Sequence, residues 1–203
     1  MELEQEQELE NTPSKTVNQD IILQAALKLF AERGYFNTSL SDIKEAVGLK
    51  SSSSLQQFFK TKQAIAVSLR ENMLDSFSIS IDDIRRRNRK PSEQLREIVD
   101  LLFRLTEEAP EIIHFMLFSN PQEMAPGQMA LHEAPAFIKI KKILQIGVKE
   151  GEIRNIDTQL AYCYFFGIIQ QALWMLLSKE LPKTADSYQV QIWQAAWNSI
   201  AKK

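Results

Sequence analysis

The chain contains few of the residues that form disulfides, metal sites and catalytic centres. Its 203 residues include one cysteine, Cys163, and two histidines, His114 and His132. A single cysteine excludes an internal disulfide and fits a reducing cytoplasm, and the two separated histidines lack the spacing of a metal-ligand set. No motif supports Cys163 and either histidine as a nucleophile with its base. We therefore expect a cytoplasmic protein that is not an enzyme and has no metal or cofactor.

The sequence also lacks strand patterns and a signal peptide. No stretch sustains the period-two alternation of a half-exposed strand, which predicts an all-α fold. The start of the chain has neither the basic segment nor the apolar run of a signal peptide. Residues 160–177, LAYCYFFGIIQQALWMLL, reach the lower length limit of a membrane-spanning helix. Two central glutamines and the absence of flanking basic clusters favour instead a buried, self-associating helix, so no membrane partner is expected.

Charge divides the chain into three parts. Residues 1–13 carry five glutamates and no basic residue, which predicts a disordered acidic tail. Residues 14–62 carry seven lysines and arginines against four acidic residues, whereas residues 63–203 are balanced. The net-basic segment is therefore the one in which a polyanionic partner is expected to bind.

Residues 21–62 predict three short helices. Apolar pairs repeat every four residues from Ile21 to Phe30, which gives the first helix one apolar face. Asn18 is the expected N-cap of this helix, and Gly34 its expected stop. The second helix is expected to begin at Ser39, because Asp42 follows three residues later as in a capping box.

The third helix follows a tight turn and has a polar outer face. Gly48 supplies the left-handed residue that ends the second helix, and the next helix begins within Ser51–Ser54. Leu55, Phe58 and Phe59 anchor it to the first two helices. Its outer serine and glutamine side chains suit base edges in the major groove, and the flanking lysines suit phosphates. The predicted DNA-contacting residues are Thr38, Ser39, Lys50, Ser51, Ser52, Ser53, Gln56, Gln57, Lys60 and Lys62.

This segment resembles the DNA-binding domain of the tetracycline-repressor (TetR) family of bacterial regulators. The resemblance lies in an apolar first helix closed by Gly-Tyr, a Thr-Ser cap, a helix ending in Val-Gly, and an aromatic residue before Thr-Lys. The matching residues are Ala25, Ala26, Leu29, Phe30, Gly34, Tyr35, Thr38, Ser39, Ile43, Val47, Gly48, Leu55, Phe59, Thr61 and Lys62. The chain departs from the pattern by an extra serine within Ser51–Ser54, by Gln56 and Gln57, and by Gln63. A helical protein-interaction module that has lost specific DNA binding therefore remains the alternative.

The remaining residues, 63–203, predict a helical regulatory and dimerisation domain. An apolar stripe from Ile65 to Ile84 indicates one long helix, and further apolar periods bring the expected total to about nine helices. In the family that the chain resembles, an effector binds among these helices. The candidate effector-binding residues, chosen as polar or aromatic groups on apolar helices, are His114, Phe115, Phe118, Cys163, Phe166, Gln170 and Trp174. From this lining we expect a small, mainly apolar effector.

The resemblance also implies a homodimer formed by the last two helices. Its expected interface residues are Leu173, Leu176, Trp193 and Trp197. Two recognition helices related by two-fold symmetry would read a palindromic operator in double-stranded DNA, with half-sites about 34–36 Å apart. The expected function is that of a repressor that releases its operator when the effector binds.

Overall fold

The structure, a computed structural model, describes residues 17–203. The predicted acidic tail, residues 1–13, lies outside the described residues. The described part contains ten α-helices, and its only β-bridge is an isolated one between Ile153 and Ala201. The all-α prediction is therefore confirmed, and the additional helix is the four-residue α7. The helices are α1 Gln19–Arg33, α2 Leu40–Ala46, α3 Ser52–Gln56, α4 Lys62–Arg87, α5 Pro91–Glu108, α6 Pro110–Phe118, α7 Pro121–Met124, α8 Pro135–Glu150, α9 Thr158–Leu177 and α10 Ala185–Asn198.

Helices α1 to α3 form a compact head with the first two turns of α4. The Asn18 side chain caps α1 by accepting a hydrogen bond from the backbone N–H of Ile21. Gly34 ends that helix with a φ of 83°, a backbone conformation that glycine adopts at low cost. The apolar cluster of the head continues beyond residue 62 to Leu69 on α4, and it also takes in Phe115 from α6. The head is thus packed against the rest of the chain as well as within itself.

The long helix α4 joins the head to a larger helical body. Its 26 residues span about 39 Å at 1.5 Å per residue. One face is buried along its whole length, from Ile65 in the head to Ile84 in the body. Helix α4 is therefore part of the apolar core of both the head and the body.

Helix α9 lies in the body, where it packs against α5, α6, α8 and α10. Its length and composition would also allow it to cross a membrane, and one third of its most apolar 18-residue window is buried within the chain. Phe165 and Ile169 are buried in the core, whereas Tyr164 and Gly167 are exposed on the opposite face. A core helix with one uncovered apolar face accounts for this pattern.

Candidate DNA-binding surface and effector cavity

A capping box positions helix α2 at the corner of the head. The backbone N–H of Asp42 donates to Ser39 Oγ at 3.1 Å, and the backbone N–H of Ser39 donates to Asp42 Oδ2 at 2.7 Å. These hydrogen bonds from Ser39, with a smaller contribution from Arg33 at 3.7 Å, hold the pKa of Asp42 below its ordinary value. The side chains that sequence reasoning assigned to the cap therefore meet as expected.

Helix α3 is anchored by apolar residues on one side and presents polar residues on the other. Leu55 and Phe59 are 2% and 7% exposed, and they fix the helix to the core of the head. Ser51 is the N-cap: its Oγ accepts from the backbone N–H of Ser54 at 3.2 Å. Helix α3 therefore begins at Ser52.

The exposed face of α3 contains most of the predicted DNA contacts. Ser51, Ser52, Ser53, Gln56, Gln57, Lys50 and Lys60 are all exposed. The Oγ atoms of Ser51 and Ser53 lie 2.9 Å apart and share a hydrogen bond. Within the described chain, no side-chain hydrogen bond engages Ser52, Gln56 or Gln57, so these three groups can turn toward a ligand.

Besides the N-caps Ser39 and Ser51, the predicted DNA contacts Thr38 and Lys62 also have structural roles. Thr38 is 1% exposed, and its Oγ1 donates to the carbonyl oxygens of Leu29 and Gly34 at 3.3 and 2.9 Å. The prediction of Thr38 as a DNA contact was wrong, because its hydroxyl is buried in the head and hydrogen-bonds carbonyl groups at the C-terminal end of α1. Lys62 donates from Nζ to the Tyr35 carbonyl at 2.7 Å and lies 4.3 Å from the centre of that ring. Burial lowers the pKa of Lys62. Because its Nζ already donates to the Tyr35 carbonyl, a phosphate contact would have to form beside that hydrogen bond.

Phe36 was missed by sequence reasoning. Its side chain is 67% exposed at the corner between α1 and α2, and its ring meets Tyr35 edge-on with centroids 5.3 Å apart. The sequence signal for it was a second aromatic residue directly after Gly34-Tyr35.

An apolar cavity lies where the head meets the body. Its volume is about 450 Å³, and its walls come from α1, α4, α5 and α6. Its lining is mainly apolar and also includes serine, asparagine, glutamine and aspartate side chains. Lining residues are Asp20, Leu23, Gln24, Leu27, Leu69, Asn72, Met73, Ser76, Phe77, Ser80, Leu101, Leu105, Ile112 and Met116. Because α1 forms one wall, a molecule in this cavity would touch the DNA-binding head directly.

None of the predicted effector-binding residues lines this cavity. Phe115 is buried in the head cluster, stacked on Phe30 at 5.9 Å, and Phe166 is buried and stacked on Tyr162 at 5.3 Å. Cys163 is exposed on the outer face of α9. The structure thus places these three candidates outside the apolar cavity, because an apolar helix does not reveal which neighbour each of its faces meets.

The other four candidates lie together on a different side of the body. The Trp174 ring is 6.3 Å from that of His114 and 5.2 Å from that of Phe118. Gln170 donates from Nε2 to the Leu117 carbonyl at 3.3 Å. Phe118, Gln170 and Trp174 line a polar cleft of about 350 Å³, which is separate from the apolar cavity. The structure thus brings these four residues together, whereas sequence reasoning did not identify the apolar cavity.

An apolar groove crosses the outer faces of α9 and α10. Its volume is about 650 Å³, and Tyr164, Gly167, Ile168, Met175 and Ile192 are among the residues that line it. A helix glycine at this position allows another helix to approach closely.

The residues predicted for the dimer interface mostly face inward. Leu173 is fully buried, and Leu176 packs on the core, so neither is part of the groove. Trp193 lies between Phe165 and Arg96, with centroid distances of 6.0 and 5.3 Å, and Trp197 stacks on Trp193 at 5.7 Å. The two tryptophans therefore join α10 to α5 and α9 of the same chain.

Comparisons with known proteins agree on the head and on the fold. Residues 22–69 match the family described as "Bacterial regulatory proteins, tetR family". The Fatty acid metabolism regulator protein of Bacillus subtilis is 23% identical over 178 residues, 83% of this chain and 89% of the relative. The solved structure of FadR from Bacillus subtilis in complex with stearoyl-CoA shares 20% identity and a TM-score of 0.74, covering 90% of this chain and all of that one. The fatty acid degradation regulator FadR of Bacillus halodurans shares 21% identity and a TM-score of 0.75, covering 89% and 98%.

Proposed function

We propose that this chain, whose residues 22–69 match the TetR family of bacterial regulatory proteins, is a member of that family, and that it is a repressor whose operator is released when a long-chain acyl thioester fills the cavity between head and body. It is a ligand-responsive, DNA-binding transcription regulator. The observation that carries the proposal is the position of the cavity: one wall is α1 of the DNA-binding head, and another is α4, which leads into the body. As a regulator of DNA in a bacterium, it acts in the cytoplasm.

Helix α3 is the part that enters the major groove. Gln57 and Gln56 are exposed amides that suit two hydrogen bonds to adenine, and Ser52 suits several base edges. Lys50 and Lys60 flank the helix on the solvent side, where phosphates would lie. Phe36, exposed at the α1–α2 corner, would pack against the sugar-phosphate backbone beside α2.

A homodimer holds two such heads in register. The groove on α9 and α10 exposes Tyr164, Ile168 and Met175 around Gly167, which supports a helix-on-helix interface with a second copy. Two linked heads bind a palindromic operator as one unit, because the second binding event is intramolecular. The required separation is about 34–36 Å, one turn of the double helix.

The chemistry of the cavity supports a fatty acyl effector. Its apolar walls suit an alkyl chain, and its volume of about 450 Å³ falls in the usual range for small-molecule sites. The FadR of Bacillus subtilis, which shares this fold, was solved with stearoyl-CoA. An acyl chain inserted between Leu23 and Leu27 on α1 and Met73 on α4 would favour a different angle between head and body. It would weaken DNA binding by its preference between the two arrangements, typically 1–3 kcal/mol, or up to about 150-fold.

Selection of bound sequences from a random DNA pool tests the DNA-binding part of this proposal. A palindromic consensus is expected, and binding of that duplex should fall steeply with salt, with a slope set by the number of phosphate contacts. Stearoyl-CoA should then release the selected duplex, whereas free CoA at the same concentration should not.

The same experiment evaluates the alternative, a helical interaction module without specific DNA binding. The brevity of α3, five residues from Ser52 to Gln56, is the observation in its favour. Recovery of no consensus, together with binding that does not change with salt, would support the module and contradict the repressor.

A further inference from the structure

The apolar cavity adjoins a second, polar cavity. Ser80 on α4 and Leu101 on α5 line both. The polar cavity has a volume of about 580 Å³ and lies between the C-terminal half of α4 and the middle of α5. An amphiphile that occupied both cavities would meet apolar walls in the first and charged side chains in the second.

The polar cavity is lined by three arginine guanidinium groups, and each carboxylate in its lining already forms an ion pair with an arginine. Its lining includes Arg86, Arg87 and Arg104, with Asp83, Glu97 and Asp100. Asp83 pairs with Arg86, and Glu97 pairs with Arg87 at 3.0 Å. Asp100 pairs at 3.0 Å with Arg96, which lies outside this lining.

Arg104 is exposed, and within residues 17–203 no carboxylate lies at ion-pair distance from it. A guanidinium group has five N–H donors, so Arg86 and Arg87 also keep donors for an incoming anion. Within the described part of the chain, the one charged residue that lines the apolar cavity is Asp20 on α1. The described lining of the apolar cavity therefore has no cationic side chain, whereas that of the polar cavity has three arginines.

We infer that the groove between α4 and α5 is the headgroup site of the effector, and that it binds a phosphate or carboxylate headgroup through Arg104, Arg86 and Arg87 while the alkyl chain enters the apolar cavity past Ser80. This inference rests on the proposed effector cavity and adds to it the charge of the ligand and the direction of its entry. Charge-assisted hydrogen bonds from arginine to an anionic oxygen are the strong kind, so the headgroup contributes affinity as well as orientation.

Titration of the full chain with three dodecyl compounds tests the site: dodecanoyl-CoA, dodecanoate and neutral dodecanol. The variants are Arg104→Gln and the double change Arg86→Gln/Arg104→Gln, all at exposed positions. Arg89→Gln is the matched control, because Arg89 is exposed in the same basic run but lines neither cavity. We expect Arg104→Gln to weaken dodecanoyl-CoA about tenfold and the double variant to weaken it further. Dodecanol should stay within twofold in every variant.

The two acidic ligands identify the group that the arginines bind. If the arginine variants lose affinity for dodecanoyl-CoA alone, the arginines bind phosphate. If they lose a similar affinity for dodecanoate, the arginines bind an anion directly at the end of the alkyl chain. Raising the salt concentration should weaken both anions but not dodecanol in the wild-type protein. If the wild type binds all three compounds and the arginine variants match Arg89→Gln, the headgroup assignment is overturned while the effector cavity stands. If the wild type binds none of them, the proposed effector fails and the headgroup site with it.

Discussion

Ser80→Phe tests effector binding at the junction of the two cavities. Ser80 is partly buried, and its hydroxyl donates only to the Ser76 carbonyl in the same helix, at 3.0 Å. The substitution therefore leaves the backbone hydrogen bonds of α4 intact. A phenyl ring at this point would occupy space meant for the alkyl chain. Displacing about four methylene groups costs about 3 kcal/mol at ~0.8 kcal/mol each, which is roughly a 150-fold loss of affinity.

The assay is release of a fluorescent operator duplex by stearoyl-CoA, followed by anisotropy. Ser80→Phe should bind the duplex like the wild type, and the half-maximal stearoyl-CoA concentration should rise about 100-fold. Ile79→Phe is the control, because Ile79 neighbours Ser80 on the same helix but is 62% exposed and lines neither cavity. Release of DNA from Ser80→Phe at the wild-type concentration would show that the effector binds elsewhere.

Three further predictions concern the head and the dimer. Ser39→Ala removes the N-cap of α2 and should lower the free energy of unfolding by about 1 kcal/mol in chemical denaturation at neutral pH. Ser39 holds the pKa of Asp42 below its ordinary 3.8. The stability difference between wild type and Ser39→Ala should therefore be fully present above the unfolded-state pKa of Asp42, and it should shrink as the pH falls through the lowered pKa of the folded state. A stability difference that does not change with pH would contradict the cap. Gln57→Ala should relax selectivity at one base pair by about 1–3 kcal/mol, whereas Lys60→Ala should weaken all duplexes alike, as measured by competition with single-base variants; equal profiles would contradict the placement of α3. Gly167→Glu places a charge where a Cβ meets no atom within 4 Å in the single chain, so the fold should remain while light scattering gives the 23.4 kDa mass of one chain; a dimer mass would exclude this groove as the interface.

The head was predictable because its signals are local. The caps at Asn18 and Ser39 and the turn at Gly34 each depend on residues within a few positions along the chain. The anchors Leu55 and Phe59 follow from helical spacing alone. Thr38 was misassigned because a threonine before a helix fits an exposed cap and an inward-facing hydroxyl equally well, and only packing distinguishes the two.

The apolar cavity could not be predicted from helical periodicity. Its walls come from separate apolar stripes, with Leu23 on α1, Met73 on α4 and Leu101 on α5. Periodicity indicates that each apolar stripe packs against other helices. It does not indicate that the side chains of three stripes leave a cavity where their helices meet. Leu173 shows the same limit for the interface: helix α9 is apolar nearly all round, and its inward face was not distinguishable from its outward one.

The docking of Phe115 against Phe30 has a consequence for engineered chimeras. The head core includes Phe115 from α6 and Met124 from α7, and the hydroxyl of Tyr35 donates to the Met124 carbonyl at 3.2 Å. A head cut at residue 62 and fused to the regulatory domain of another protein would lose these contacts with α6 and α7. Exchange of operator specificity between such regulators should therefore succeed more often by substitution of the exposed residues of α3 than by transfer of the whole head.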